Sequence, residues 1–125
     1  MHRVLLIGLA GLVGTVARFG LSGMMAKRFG ESFPVGTLLV NLVGCFLAGL
    51  FYQLFEDRLN VSEVVRAVLM IGFLGGFTTF SAFGLQTFEL LKGGALGLAM
   101  MNLLVSNVAG LFLVWVGYSV ARLFF

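Results

Sequence analysis

Hydrophobic residues fill four long stretches of the chain, and the polar residues between them come in short clusters. Residues 4–17, 32–55, 67–88 and 93–121 contain no Asp, Glu, Lys or Arg. About 20 apolar residues cross a bilayer as a helix, so the last three stretches are long enough as they stand. The first becomes long enough by running through Arg18 to Met25. The pattern predicts an all-α membrane protein: one four-helix transmembrane domain over residues 1–125, with spans at about 4–25, 34–55, 67–91 and 95–122. The loops are short. Lys27, Arg28, Gly30 and Glu31 mark the first, and Pro34 then opens a helix where its missing N–H costs nothing. Glu56, Asp57, Arg58, Asn60, Glu63 and Arg66 mark the second, and Lys92-Gly93-Gly94 the third.

Composition strengthens this reading. Of 125 residues, 60% are hydrophobic and only 10% charged, too few to cover the surface of a soluble domain. The basic start and apolar run of the first stretch also fit a signal peptide, but no small-x-small cleavage site follows and the rest of the chain is itself membrane-spanning. One cysteine, Cys45, allows no disulfide framework within the chain. One histidine and no paired carboxylates in a span leave enzymatic chemistry without support.

Charge bears on orientation. With four spans, both termini and the second loop share one side, which carries Arg3, Arg58, Arg66 and Arg122. The other side carries Lys27, Arg28 and Lys92, plus Arg18 if it lies nearer that end. Lys and Arg set topology through the positive-inside bias, and here the bias is close to zero. The expectation is dual topology, with two copies assembled antiparallel as a homodimer, giving the inverted symmetry that many transporters encode within one chain. Gly8, Gly11 and Gly14 in span one, and Gly44 with Ala48 in span two, offer small surfaces for close helix packing.

Polar residues inside the spans are costly unless they find partners or line water. They include Arg18, Thr37, Asn41, the Thr78-Thr79-Ser81 cluster, Gln86, Asn102, Ser106 and Asn107. Thr37 and Asn41 share a helix face, and an Asn at this depth serves either as interhelical glue or as a neutral donor on an anion path. Asn102 and Ser106 share a face that Asn107 does not. Gly75-Gly76 followed by Thr78-Thr79 is expected to break the third helix mid-membrane, over residues 75–79. Lipid cannot satisfy freed backbone groups, so such a break must be buried in protein or line a cavity. Freed carbonyls are hard oxygen ligands for a cation such as Na⁺. Beyond the break, Phe80 and Phe83 fall on one side of the resumed helix; counted alone they read as two core residues among 14 phenylalanines, and the positive edges of their rings would also suit a small anion.

The segments "GTVARFGLS", "GTLLVNLVG" at 36–44 and "GFLGGFTTFSAF" at 72–83 resemble the Fluc (CrcB) family of fluoride channels, and the similarity extends over the whole chain in length, span number and order. The resemblance implies a passive, fluoride-selective channel of the cell membrane, exporting fluoride that enters as neutral HF. It implies an antiparallel homodimer with two pores and a central structural Na⁺ held by the carbonyls of Gly75 and Thr78 from both subunits. Phe80 and Phe83 would line the pores, Asn41 would be the span-two donor, Ser81 and Asn107 further polar groups on the track, and Arg18 a vestibule residue. Two positions depart from the family pattern. Gly84-Leu85-Gln86 replaces the Ser-Glu-like residues usual after the second phenylalanine, and Leu111 follows Gly110 where a serine is usual. These bear on conduction rate or selectivity rather than on fold. A small dual-topology, proton-coupled multidrug exporter is the alternative, but it requires a membrane-embedded carboxylate where span one has Arg18. A non-transporting membrane subunit would not need polar residues mid-membrane.

Overall fold

The computed structural model describes residues 2–125, except the side chain of Arg58, so that member of the charge balance lies outside the described side chains. The described residues form helices and no strands. We label them α1 (His2–Phe29), α2 (Val35–Gln53), α3 (residues 63–77), α4 (Phe80–Lys92) and α5 (Leu96–Phe124). Helices α3 and α4 together make the stretch Glu63–Lys92, one of four that are long and apolar enough to cross a membrane. Wider π-helical turns occur at Leu54–Arg58 after α2, at Val68–Phe73 within α3 and at Val105–Ala109 within α5.

Local signals account for the ends. Ser62 caps α3, its hydroxyl accepting the N–H of Val65 at 3.2 Å. Pro34 lies just outside α2, at the cap position. The turns after α1 and α4 use Gly30 and Gly94 at φ 79° and 80°, where a side chain would be strained. Arg66 closes the second loop, pairing with Glu56 at 3.4 Å and donating to the Phe55 carbonyl at 2.9 Å.

Packing runs in two layers joined by α1 against α2. Helix α2 lies most extensively on α5, and α1 on α3. Both contacts bring backbones together. A Cβ on Gly49 would stand 1.9 Å from the Val114 carbonyl oxygen, and one on Gly117 would stand 2.0 Å from that of Phe46. Between α1 and α3, a Cβ on Gly14 would meet the Phe73 oxygen at 2.2 Å, and one on Gly76 the Gly11 oxygen at 2.4 Å. Lipid gives helices no hydrophobic reason to associate, so this close approach supplies the attraction through dispersion. Of the small residues singled out in the sequence, Gly11 and Gly14 sit in such contacts, Gly44 lies against the Thr78 methyl, and Gly8 faces open space. The core is thin: Val40, Ala99 and Ala121 are fully buried, while Leu12, Phe19, Phe112 and Trp115 point outward.

Candidate functional site at the break in the third span

The sequence places the helix break at residues 75–79; the structure narrows it to two. Gly75 and Gly76 are helical, within Leu74–Phe77, and Thr78 and Thr79 are extended at φ/ψ −91°/157° and −149°/124°. The glycines therefore do not make the turn. Gly76 is needed for contact with Gly11, and Gly75 faces open space in the single chain. The two threonines, β-branched and stiff at χ1, carry the extended backbone.

The hydrogen bonds here run outside the helical pattern. Asn41 clamps Thr79 with a pair of bonds: its Nδ2 donates to the Thr79 carbonyl and its Oδ1 accepts the Thr79 N–H, both at 2.9 Å. In an unbroken helix that N–H would serve the Gly75 carbonyl. The Ala82 N–H, which would serve the Thr78 carbonyl, goes instead to Thr79 Oγ1 at 3.2 Å, capping α4. Gly75 and Thr78, the two carbonyls expected to hold a cation, are among those that lose their helical donors here, as Gly76 and Phe77 also do at the end of α3. The Gly76 carbonyl, at the negative end of α3, accepts Arg18 Nε at 3.1 Å. Thr78 turns its hydroxyl back to the Leu74 carbonyl at 2.9 Å and its methyl toward Gly44.

Asn41, Gly75, Thr78 and Phe80 line one open groove of about 420 Å³ beside the break. Asn41 spends one N–H and its oxygen on Thr79, leaving its second amide hydrogen for the groove. Phe80 is 81% exposed, whereas Phe83 is 8% exposed and turned inward, their ring centroids 5.6 Å apart. Ser81 is exposed. Asn107 is also exposed and bonds back to the Leu103 carbonyl at 2.7 Å, away from the groove. Gln86 Oε1 is buried without a partner among the described residues, against a second cavity of about 520 Å³ under the first loop that Ser22, Thr37 and Glu89 also line.

The sequence reading found two members of a polar cluster, Asn102 and Ser106, and missed the third, Thr87. Thr87 donates to the Phe83 carbonyl at 2.7 Å and accepts Asn102 Nδ2 at 2.8 Å, and Ser106 reaches Asn102 Oδ1 at 3.4 Å. The signal was present. Thr87 lies seven residues before Gly94 and Asn102 eight after it, so a tight hairpin brings them level.

Residues 5–118 match the family described as CrcB-like protein, Camphor Resistance (CrcB). Among curated proteins, the fluoride-specific ion channel FluC of Citrifermentans bemidjiense is 47% identical over 122 residues, covering 98% of each chain. That of Opitutus terrae is 48% identical over 123 residues, covering 97% of this chain and 93% of the relative. That of Aquifex aeolicus is 44% identical over 118 residues, covering 94% and 95%.

Proposed function

The chain belongs to the CrcB-like family, and from that premise we propose that it is a passive fluoride channel of a cell membrane, built as an antiparallel homodimer with two pores. Near-full-length identity to relatives named fluoride-specific ion channel carries the ion and the activity. The arrangement around the third span supports the route. The break lies close to the middle of Glu63–Lys92 and hence mid-membrane, beside a groove offering neutral donors and an exposed aromatic ring.

Fluoride would be handled without a full positive charge that traps it. The spare Asn41 amide hydrogen and the ring edges of Phe80 and Phe83 present partial positive charge along the path. Ser81, exposed at the start of α4, adds a hydroxyl. Arg18, held on the Gly76 carbonyl, raises the local anion concentration at longer range. Asn107 stands apart from the groove in one chain and would join the path only through the second copy.

The donor set at the break also fits a resident Na⁺. The Gly75 and Thr78 carbonyls, with their helical donors diverted, offer hard oxygens, and two antiparallel copies would bring four of them together. When bound, Na⁺ would tie the two subunits together through those oxygens. Near-equal Lys/Arg on the two faces supports the antiparallel arrangement.

The deciding experiment is anion efflux from liposomes loaded with fluoride or chloride. Fluoride should leave rapidly and chloride should stay. Equal release of both, or release of neither, would overturn the reading. Reporter tags at the C-terminus should appear on both membrane faces, and a single orientation would end the antiparallel pairing.

A further inference from the structure

Helix α4 packs lightly on its own chain, mainly against the start of α5. Its Phe80, Leu85 and Phe88 are 81%, 61% and 58% exposed, and only Phe83 and Thr87, one turn apart, are buried. It is fixed at two points. One is its start, where Asn41 clamps Thr79. The other is Thr87, whose hydroxyl donates to the Phe83 carbonyl at 2.7 Å while its oxygen accepts from Asn102 at 2.8 Å. Thr87 is 6% exposed and Asn102 1%. Ser106 closes the chain, its hydroxyl donating to Asn102 Oδ1 and so orienting the amide.

We propose that Thr87 and Asn102 are positioning residues for the phenylalanine pair: their hydrogen bond sets the roll of α4 about its axis, holding Phe83 inward while Phe80 stands outward. Successive residues of a helix are about 100° apart, so a roll of one position would carry Phe83 out of its site and turn a different face toward the groove. Buried in a membrane, the amide of Asn102 has no water to replace Thr87, so the bond persists. The Thr87–Phe83 bond lies within α4 and aims the Thr87 oxygen so that it can accept from Asn102. This inference rests on the reading that fluoride passes the two rings.

The test uses Thr87→Val, which keeps the shape and removes the hydroxyl, Thr87→Ser, which restores it, and Asn102→Ala, which removes the partner amide. A cysteine is placed at Phe83 in a Cys45→Ser background, and its reaction with a maleimide is timed in the purified dimer. Thr87→Val and Asn102→Ala should each change that rate about tenfold, while Thr87→Ser stays close to the parent, as expected for loss of one buried hydrogen bond. In chains that keep Phe83, the same substitutions should slow fluoride efflux and narrow the preference for fluoride over chloride. The double variant should fall short of the sum of the two single changes, because both break the Thr87–Asn102 bond. An unchanged cysteine rate in Thr87→Val, or reduced thermal stability with the fluoride preference intact, would overturn the proposal and leave the bond as packing alone. Absence of fluoride efflux in the parent chain would defeat the channel reading instead, and the cysteine rates would still decide the positioning.

Discussion

The two halves of the third span are built on opposite plans. In α3, before the break, Gly72, Leu74 and Phe77 are buried, and Gly72 and Gly76 let its backbone lie directly on α1. In α4, after the break, apolar side chains point mostly away from the chain, and one hydrogen bond to Asn102 makes the polar tie. One half is anchored by its own chain, and the other leaves most of its apolar side chains exposed. In lipid, where burial of apolar groups gives no net drive, the distinction rests on backbone approach and on hydrogen bonds. The anchored half ends in the Gly75 carbonyl, one of those proposed to hold the cation. The other carries the rings, whose setting depends on few contacts.

The largest effect should follow from breaking the anchor. A Cβ at Gly14 would meet the Phe73 oxygen at 2.2 Å and the Phe77 nitrogen at 2.9 Å, both backbone atoms that cannot rotate away. Gly14→Val should cost more than the usual overpacking range of about 1–3 kcal/mol and give no monodisperse species in detergent. Gly84→Val, at an open position of α4, should leave the fold of the chain unchanged. Equal behaviour of the two variants would erase the contrast between the halves.

Phe83→Ile comes next. It keeps apolar volume and removes a ring edge, so fluoride efflux should fall to the background of empty liposomes while the dimer still elutes at its normal position. Efflux at the parent rate would remove the ring from the mechanism.

Asn41→Ala should be intermediate. It strips both partners from the Thr79 backbone, and each unsatisfied group costs about 1–3 kcal/mol when buried. Thermal unfolding should shift downward. Any stabilisation by Na⁺ over a non-coordinating cation should shrink as well, because the Thr79 N–H would be free to return to the Gly75 carbonyl. Persistence of the full Na⁺ effect would separate the clamp from the cation site.

The smallest effect belongs to Arg18→Gln. Loss of the charge should lower efflux about threefold at low fluoride and low salt, and the deficit should close as ionic strength rises and screens the field. A deficit independent of salt would mean that Arg18 acts through its bond to the Gly76 carbonyl and not through its field.

Much of the candidate site was legible in the sequence because a membrane makes polar residues conspicuous. Asn41, Thr78 and Arg18 stand out among apolar neighbours, and the structure brings all three to the break. Thr87 was passed over because a lone threonine is common in membrane helices and nothing local reveals its partner. The glycine pair misled for a related reason. Gly75-Gly76 looks like a hinge by composition, but the backbone stays helical there because α1 packs against Gly76.

By itself the sequence determined four apolar spans, short polar loops, near-balanced positive charge on the two faces and the location of an interruption in span three. These follow from the cost of placing charge and unpaired backbone in hydrocarbon, which acts on each segment separately. Only the tertiary structure decided where the backbone leaves the helix, which carbonyls lose their donors and which phenylalanine turns inward. Those outcomes depend on where Asn41 of α2, Arg18 of α1 and Asn102 of α5 arrive in space. Hydrogen bonds between residues 38 and 58 positions apart are settled by packing, which no local stretch of sequence encodes.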